Sequence, residues 1–173
     1  IGIGAYAEST AARATAVGVL SQANGEGSFA GGASAQATGT NSVAIGGATD
    51  GTFTNQEGTA AKAKGNNSIA LGTNSTAKGQ NSIAQGISSV AQQTADIAIG
   101  ANAAANGTDT PAGSSTGQDA GTAISIGANS VATGIATTAL GQAAHATQNG
   151  AVAVGSQANA TNKAAAALGR DSN

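Results

Sequence analysis

The chain is 173 residues long with a formal net charge of −2, 8% charged and 2% aromatic residues, and no Cys, Met or Trp. So few Lys and Arg leave no electrostatic footprint for nucleic acid, and the lack of Cys excludes a disulfide framework. No apolar run is long enough for a helical membrane span, and no basic segment followed by an apolar one opens the chain.

Gly and Ala dominate, which by composition alone reads as low complexity. The phase of a repeat says otherwise. Gly4, Gly18, Gly32, Gly46, Gly72, Gly86, Gly100, Gly127, Gly141, Gly155 and Gly169 close successive units, and eight of the ten intervals between them are 14 residues. A fixed period of this kind predicts stacked units, a solenoid, with no single central core. Ile1 falls in mid-pattern, so the chain reads as a segment of a longer protein.

Positions are counted below from each closing glycine. The first two units are irregular: Tyr6 and Leu20 stand where polar residues are usual, and Phe29 and Gly31 replace aliphatic ones. Tyr6 and Leu20 read as part of a distal cap or a tip contact. The next unit shows the rule. Ala33-Ser34-Ala35-Gln36-Ala37-Thr38-Gly39 alternates small with polar, the period of a strand with one buried face. Positions +3 and +5 are Ala or Ser in every unit, while +6 is Thr, Asn, Lys or Gln. Only small residues fit inward where the opposite wall lies very close. Gly at +7 (Gly25, Gly39, Gly65, Gly79, Gly107, Gly134) is expected to supply a positive φ at a sharp corner. Asn-Ser often follows, as in Asn41-Ser42, Asn67-Ser68 and Asn81-Ser82, and stacked Asn side chains can bond one another there.

The second half of the unit is apolar on both faces: Val43-Ala44-Ile45, Ile69-Ala70-Leu71, Ile97-Ala98-Ile99 and Val152-Ala153-Val154. Ile124-Ser125-Ile126 differs only at its middle residue. The middle residue should point into the roll and its neighbours out of it. A strand apolar on both faces is buried on both faces, and soluble monomers rarely expose so large a patch. The second cover is therefore expected from other copies of the chain. The predicted interface is Val43, Ile45, Ile69, Leu71, Ile83, Ile97, Ile99, Ile124, Ile126, Leu140, Val152, Val154 and Leu168. Gln85, on the same stripe, reads either as a polar residue fitted between subunits or as an ion or water site on their axis.

Two insertions break the phase. Residues 47–58 fall between units, before the first strand, and residues 108–120 fall after it, at the opposite corner. Each reads as a tolerated excursion or as a lateral contact loop. Phe53, in the first, reads as tucked against the roll or as an exposed anchor. Lys62, Lys64 and Lys78 cluster on the solvent face of adjacent units, either as solvated surface or as a contact for acidic or matrix ligands.

The repeated Asn-Ser-hydrophobic-Ala-hydrophobic-Gly of 41–46 and 67–72, with Gln85 in place of the last hydrophobe in 81–86, alternates with Ala-x-Ala-x-Gly. This pattern resembles the YadA-like head of trimeric autotransporter adhesins over nearly the whole chain. The resemblance implies an all-β, left-handed parallel β-roll, one head segment over 1–173, with three chains packed about an axis. It also implies a stalked fibre on the Gram-negative outer membrane that binds host cells and matrix proteins of the collagen, fibronectin and laminin class, and promotes cell–cell adhesion.

No catalytic or metal-binding constellation is evident. His145 is the single histidine, carboxylates are scattered, and no phosphate-loop or calcium-repeat motif occurs. An enzyme is not expected, nor a cofactor. The candidate ligand face is the polar one, with Gln36, Thr38, Lys62, Lys64, Lys78 and Thr133 and, on the first insertion, Phe53. Two alternatives stand beside an adhesin head. A structural fibre segment would have no ligand of its own. An ice-binding solenoid would need Thr at both +4 and +6, and +4 is too varied for that.

Overall fold

A computed structural model describes residues 1–48, 59–107 and 122–173. Within them, twenty-one strands of two to four residues form an eleven-stranded and a ten-stranded sheet. Every strand pair is parallel, and successive strands along the chain alternate between the two sheets. Each passage from one sheet to the other and back advances the chain by one strand. The result is a parallel β-solenoid of about ten turns, on the order of 50 Å tall at the usual strand spacing.

The register follows the glycine period. His145 pairs with Asn159 and Val152 with Ala166, 14 residues on. At the insertions Val43 pairs with Ile69 and Ile97 with Ile124, so the ladder continues without losing a turn. The first insertion leaves beyond the strand Val43–Ile45 and the second beyond Ala104–Asn106, at opposite corners of the roll. Residues 49–58 and 108–121 lie outside the described residues, and so does Phe53.

Among the described residues, every buried hydrophobic side chain is an alanine. The interior is built from four columns, at +3, +5, +10 and +12, filled by Ala and Ser apart from Thr137 and Asp96. The +10 column, containing Ser28, Ser42, Ser68 and Ser82, is an inward face that the alternation of the sequence does not advertise. The two walls touch through their shortest side chains. Ser125, on the eleven-stranded sheet, shares a 2.8 Å hydrogen bond with Ser130, which leads into the other sheet. Ser replaces Ala in these columns with its hydroxyl either bonded to the glycine carbonyl three residues earlier or, at Ser28, Ser42 and Ser68, buried without a partner. Ser75 donates to Gly72 at 2.7 Å, Ser82 to Gly79 at 2.7 Å and Ser89 to Gly86 at 2.9 Å.

The corners correct one expectation. Gly25, Gly39, Gly65 and Gly79 do not have a positive φ. They are glycine because a Cβ on any of them would overlap the backbone carbonyl of the residue below it, Gly39, Gly65, Gly79 or Gln93. Gly134 does have the expected positive φ, at 117°, and the non-glycine left-handed residues sit at +2 and +9. Seventeen non-glycine residues there have φ between 52° and 61°, and six of them are Asn, the side chain that tolerates this region best. The expected Asn stacking occurs: Asn67 donates to Asn81 at 3.1 Å and Asn102 to Asn129 at 3.2 Å.

Among the described residues Asp96 is the one carboxylate in the interior, and it is fully buried. It accepts hydrogen bonds from the backbone N–H of Gln93 at 2.9 Å, Gly107 at 3.1 Å and Ala123 at 2.8 Å. Gly107 and Ala123 flank the second insertion, so one side chain in a Ser/Ala column closes its base. Asp96→Ala should leave these donors unpaired and cost about 2–4 kcal/mol, read as a lower urea midpoint at fixed protein concentration, with Asp96→Asn in between. The closing glycines offer a second check. At Gly86 a Cβ would lie 2.5 Å from the Gly100 carbonyl oxygen, whereas at Gly169 nothing lies within 4 Å, though both have positive φ. Gly86→Ala should therefore abolish cooperative thermal unfolding by circular dichroism, while Gly169→Ala should lower Tm by only a few degrees, from roughly 1 kcal/mol of backbone strain.

Candidate interaction surfaces

The two sheets present outward faces of opposite character. On the eleven-stranded sheet the residues flanking each buried Ala point out of the roll. The strand pairing aligns them in two columns. One runs through Val43, Ile69, Ile83, Ile97, Ile124 and Val152, with Thr138 in register between the last two, and the other through Ile45, Leu71, Ile99, Ile126, Leu140, Val154 and Leu168, with Gln85 between Leu71 and Ile99. All thirteen are at least partly solvent-accessible on the single chain, with Ile45 at 45% and Leu168 at 69%. Ile3 and Val17 continue the second column towards the first turn, at 59% and 36%. A contiguous apolar strip of this kind is unusual on the surface of a monomeric protein.

Two irregularities of the strip explain one another. Phe29 and Gly31 lie two residues apart on the same outward face. A Cβ on Gly31 would sit 2.9 Å from Cε1 of Phe29, so the ring lies over the space that an aliphatic side chain fills in other turns. The large residue and the missing one are a compensated pair. Gln85 is exposed, in register between Leu71 and Ile99. Two residues on, Ile87 is 62% exposed at a position occupied elsewhere by small or polar residues and Val19. Sequence reasoning passed over Ile87, although its departure from the +1 column was a visible signal.

The ten-stranded sheet is mixed and mostly polar outside. Gln36 pairs in register with Lys62, and Lys62 with Thr76. In the next outward column Thr38, Lys64 and Lys78 occupy successive turns, all exposed. These candidates therefore share one patch. Thr133 does not join them: its strand lies three places beyond the one that contains Thr76, past Val90 and Ala104. Its hydroxyl donates to the Thr147 carbonyl at 3.3 Å. His145 lies half-buried on this sheet, paired with Val131 and Asn159. At the first turns Tyr6, 84% exposed, and Leu20 stack at the same corner, both in the left-handed region, and with Glu8 and Gln22 they line a shallow hollow.

Among the described residues no group of three or more His, Cys, Asp or Glu side chains converges, and no helix is long and apolar enough to cross a membrane. What the architecture defines is a class: a parallel β-solenoid with an alanine interior, one apolar outer face and one polar one. The model of the YadA head domain repeat (2 copies) matches residues 9–35, 23–49, 58–75, 77–103, 120–144, 132–158 and 146–172. The chain belongs to this family, whose repeats are structural adhesin domains, not enzymes, and are typical of trimeric autotransporter adhesins. No curated protein matches the chain.

The Phe29–Gly31 compensation is testable by a double-mutant cycle. Gly31→Ile alone should clash with the ring and destabilise by about 1–3 kcal/mol. Phe29→Val together with Gly31→Ile restores the usual pair of small and aliphatic volumes. It should recover most of that loss in thermal unfolding, a coupling that independent sites would not show.

Proposed function

We propose that this chain is the head segment of a homotrimeric bacterial surface adhesin. The eleven-stranded sheet faces the three-fold axis, and the ten-stranded sheet and the corners face outwards. The single observation that carries this reading is the asymmetry of the outer faces: thirteen aligned aliphatic positions on one, and Gln36, Thr38, Lys62, Lys64 and Lys78 together on the other. Family membership supports a fibre displayed on the Gram-negative outer membrane and a left-handed hand for the roll.

The ligands of such a head are host-cell and extracellular-matrix proteins of the collagen, fibronectin or laminin class. Binding works through many shallow contacts. A polar patch repeated by three-fold symmetry multiplies weak affinities by effective concentration, without a deep pocket. The Lys64–Lys78 column gives that patch its positive charge, suited to acidic stretches of a matrix protein.

Sedimentation equilibrium should give a mass three times the 16.0 kDa of the chain, and Ile99→Asp should shift it to the monomer or to aggregate. In a solid-phase assay on collagen, fibronectin and laminin, Lys64→Glu with Lys78→Glu should weaken retention severalfold at unchanged trimer mass. A soluble, well-folded monomer would overturn the trimer. Equal retention of the charge-reversed trimer would remove the lysine patch from the binding surface, and no retention of the unaltered protein on any matrix would favour a structural fibre segment.

A further inference from the structure

Resting on the homotrimer reading, we infer that Gln85 sets the axial register of the three chains. A repeating apolar strip has a problem that a globular interface lacks. Sliding one copy along another by a single turn replaces aliphatic contacts by nearly identical aliphatic contacts. Ile99, Ile126 and Leu140 occupy equivalent places on successive strands, so burial alone barely distinguishes the aligned assembly from one displaced by a turn. Only departures from the repeat can lift this degeneracy.

Gln85 is the departure with the right chemistry. It projects from the outer face, is exposed on the single chain, and replaces the aliphatic residue in its column. Its side-chain amide carries both donors and acceptors, so three aligned copies can close a ring of hydrogen bonds around the axis. A displacement of one turn sets each amide against Leu71 or Ile99 of a neighbour, where it is buried without a partner. Such a loss is worth roughly tenfold in an equilibrium for each amide. A single polar residue in an apolar seam fixes register in coiled coils by the same argument. Thr15 and Thr138, in the other column, are half-buried and offer one short hydroxyl each, whereas Gln85 is exposed and reaches further. Gly31 and Phe29 read by shape, and their mutual compensation leaves the outline of the strip nearly unchanged.

The test moves the key. In the variant Gln85→Ile/Ile99→Gln the amide is displaced by one turn, with the composition of the chain unchanged. Alone, this variant should form trimers with a Tm within a few degrees of the natural chain. Natural and shifted chains with different affinity tags are then co-expressed, and mixed trimers are quantified by tandem purification. Two differently tagged natural chains serve as the control. Mixed trimers should fall at least tenfold below the control. Mixing at the control level would overturn the inference while leaving the trimer intact. If the shifted variant does not assemble alone, the opposite shift, Leu71→Gln/Gln85→Leu, replaces it. Failure of both to assemble would also overturn the inference, since a key must work one turn away. A monomeric natural chain would instead overturn the homotrimer reading itself.

Discussion

Everything in this fold depends on the closeness of its two walls. Side chains as short as Ser125 and Ser130 bridge the interior directly, and no described buried hydrophobe is larger than alanine. Such an interior specifies shape tightly and contributes modestly to hydrophobic stabilisation. Burying one methyl group is worth about 0.8 kcal/mol, against about 1.5–3 kcal/mol for a Val, Leu or Ile side chain. Alanine also loses no side-chain rotamer entropy on folding, so a thin core is inexpensive to order. The larger hydrophobic contribution resides in the outward strip, where it is realised only when another surface covers it. In this roll the backbone ladder and the alanine columns set the geometry, and the largest apolar side chains remain on the outer face.

The same closeness governs the corners. Turns stacked at strand spacing leave no room between backbones, which is why Gly25, Gly39, Gly65 and Gly79 have no side chain although their φ values demand none of glycine's freedom. Positive-φ residues at +2 and +9, together with the closing glycine at φ between 112° and 149°, bend the chain around the thin interior. Asn, Ser and Gly fill many of these places, but Tyr6, Leu20, Ala95, Ala136, Ala143 and Ala164 also adopt positive φ. Each such residue costs about 1 kcal/mol or more. The strain persists because the turns above and below hold the corner through bonds such as Leu20 N–H to Ala5 C=O at 2.9 Å and Ala95 N–H to Gln80 C=O at 2.8 Å.

The glycine period made the solenoid, the position of both insertions and the outward stripe legible before any coordinates. It did so because each depends on a residue class recurring at a fixed place. What periodicity concealed was the reason for individual residues. Glycine at +7 answers to two different physical demands, and the letter alone does not separate a positive φ from a backbone contact. The +10 column escaped notice because serine after asparagine reads as turn chemistry. Its burial becomes visible only once Ser82 is seen bonded to Gly79 inside the roll. Asp96 could not be read at all, since its partners Gly107 and Ala123 are brought together by a fold that closes over an insertion. The candidate ligand patch was legible where the residues lie on successive turns, as Thr38, Lys64 and Lys78 do. It was not legible for Thr133, which belongs to the same columns but to a distant turn.

A perfect repeat would be the poorer protein. Identical turns can stack, but they give no turn a distinct identity and leave the order of pairing to chance. In this chain the departures are matched to local partners. Phe29 covers the gap at Gly31, Ser125 finds Ser130, and Asp96 ties down the ends of the second insertion. Drift in a low-complexity sequence would scatter large substitutions without such partners, leaving cavities or clashes in an interior that tolerates little beyond an unpaired serine hydroxyl at Ser28, Ser42 and Ser68. The matched pairs indicate that the irregular positions are under the same packing constraint as the regular ones. They give individual turns an address along the stack, and an outward departure such as Gln85 makes that address readable from outside the chain.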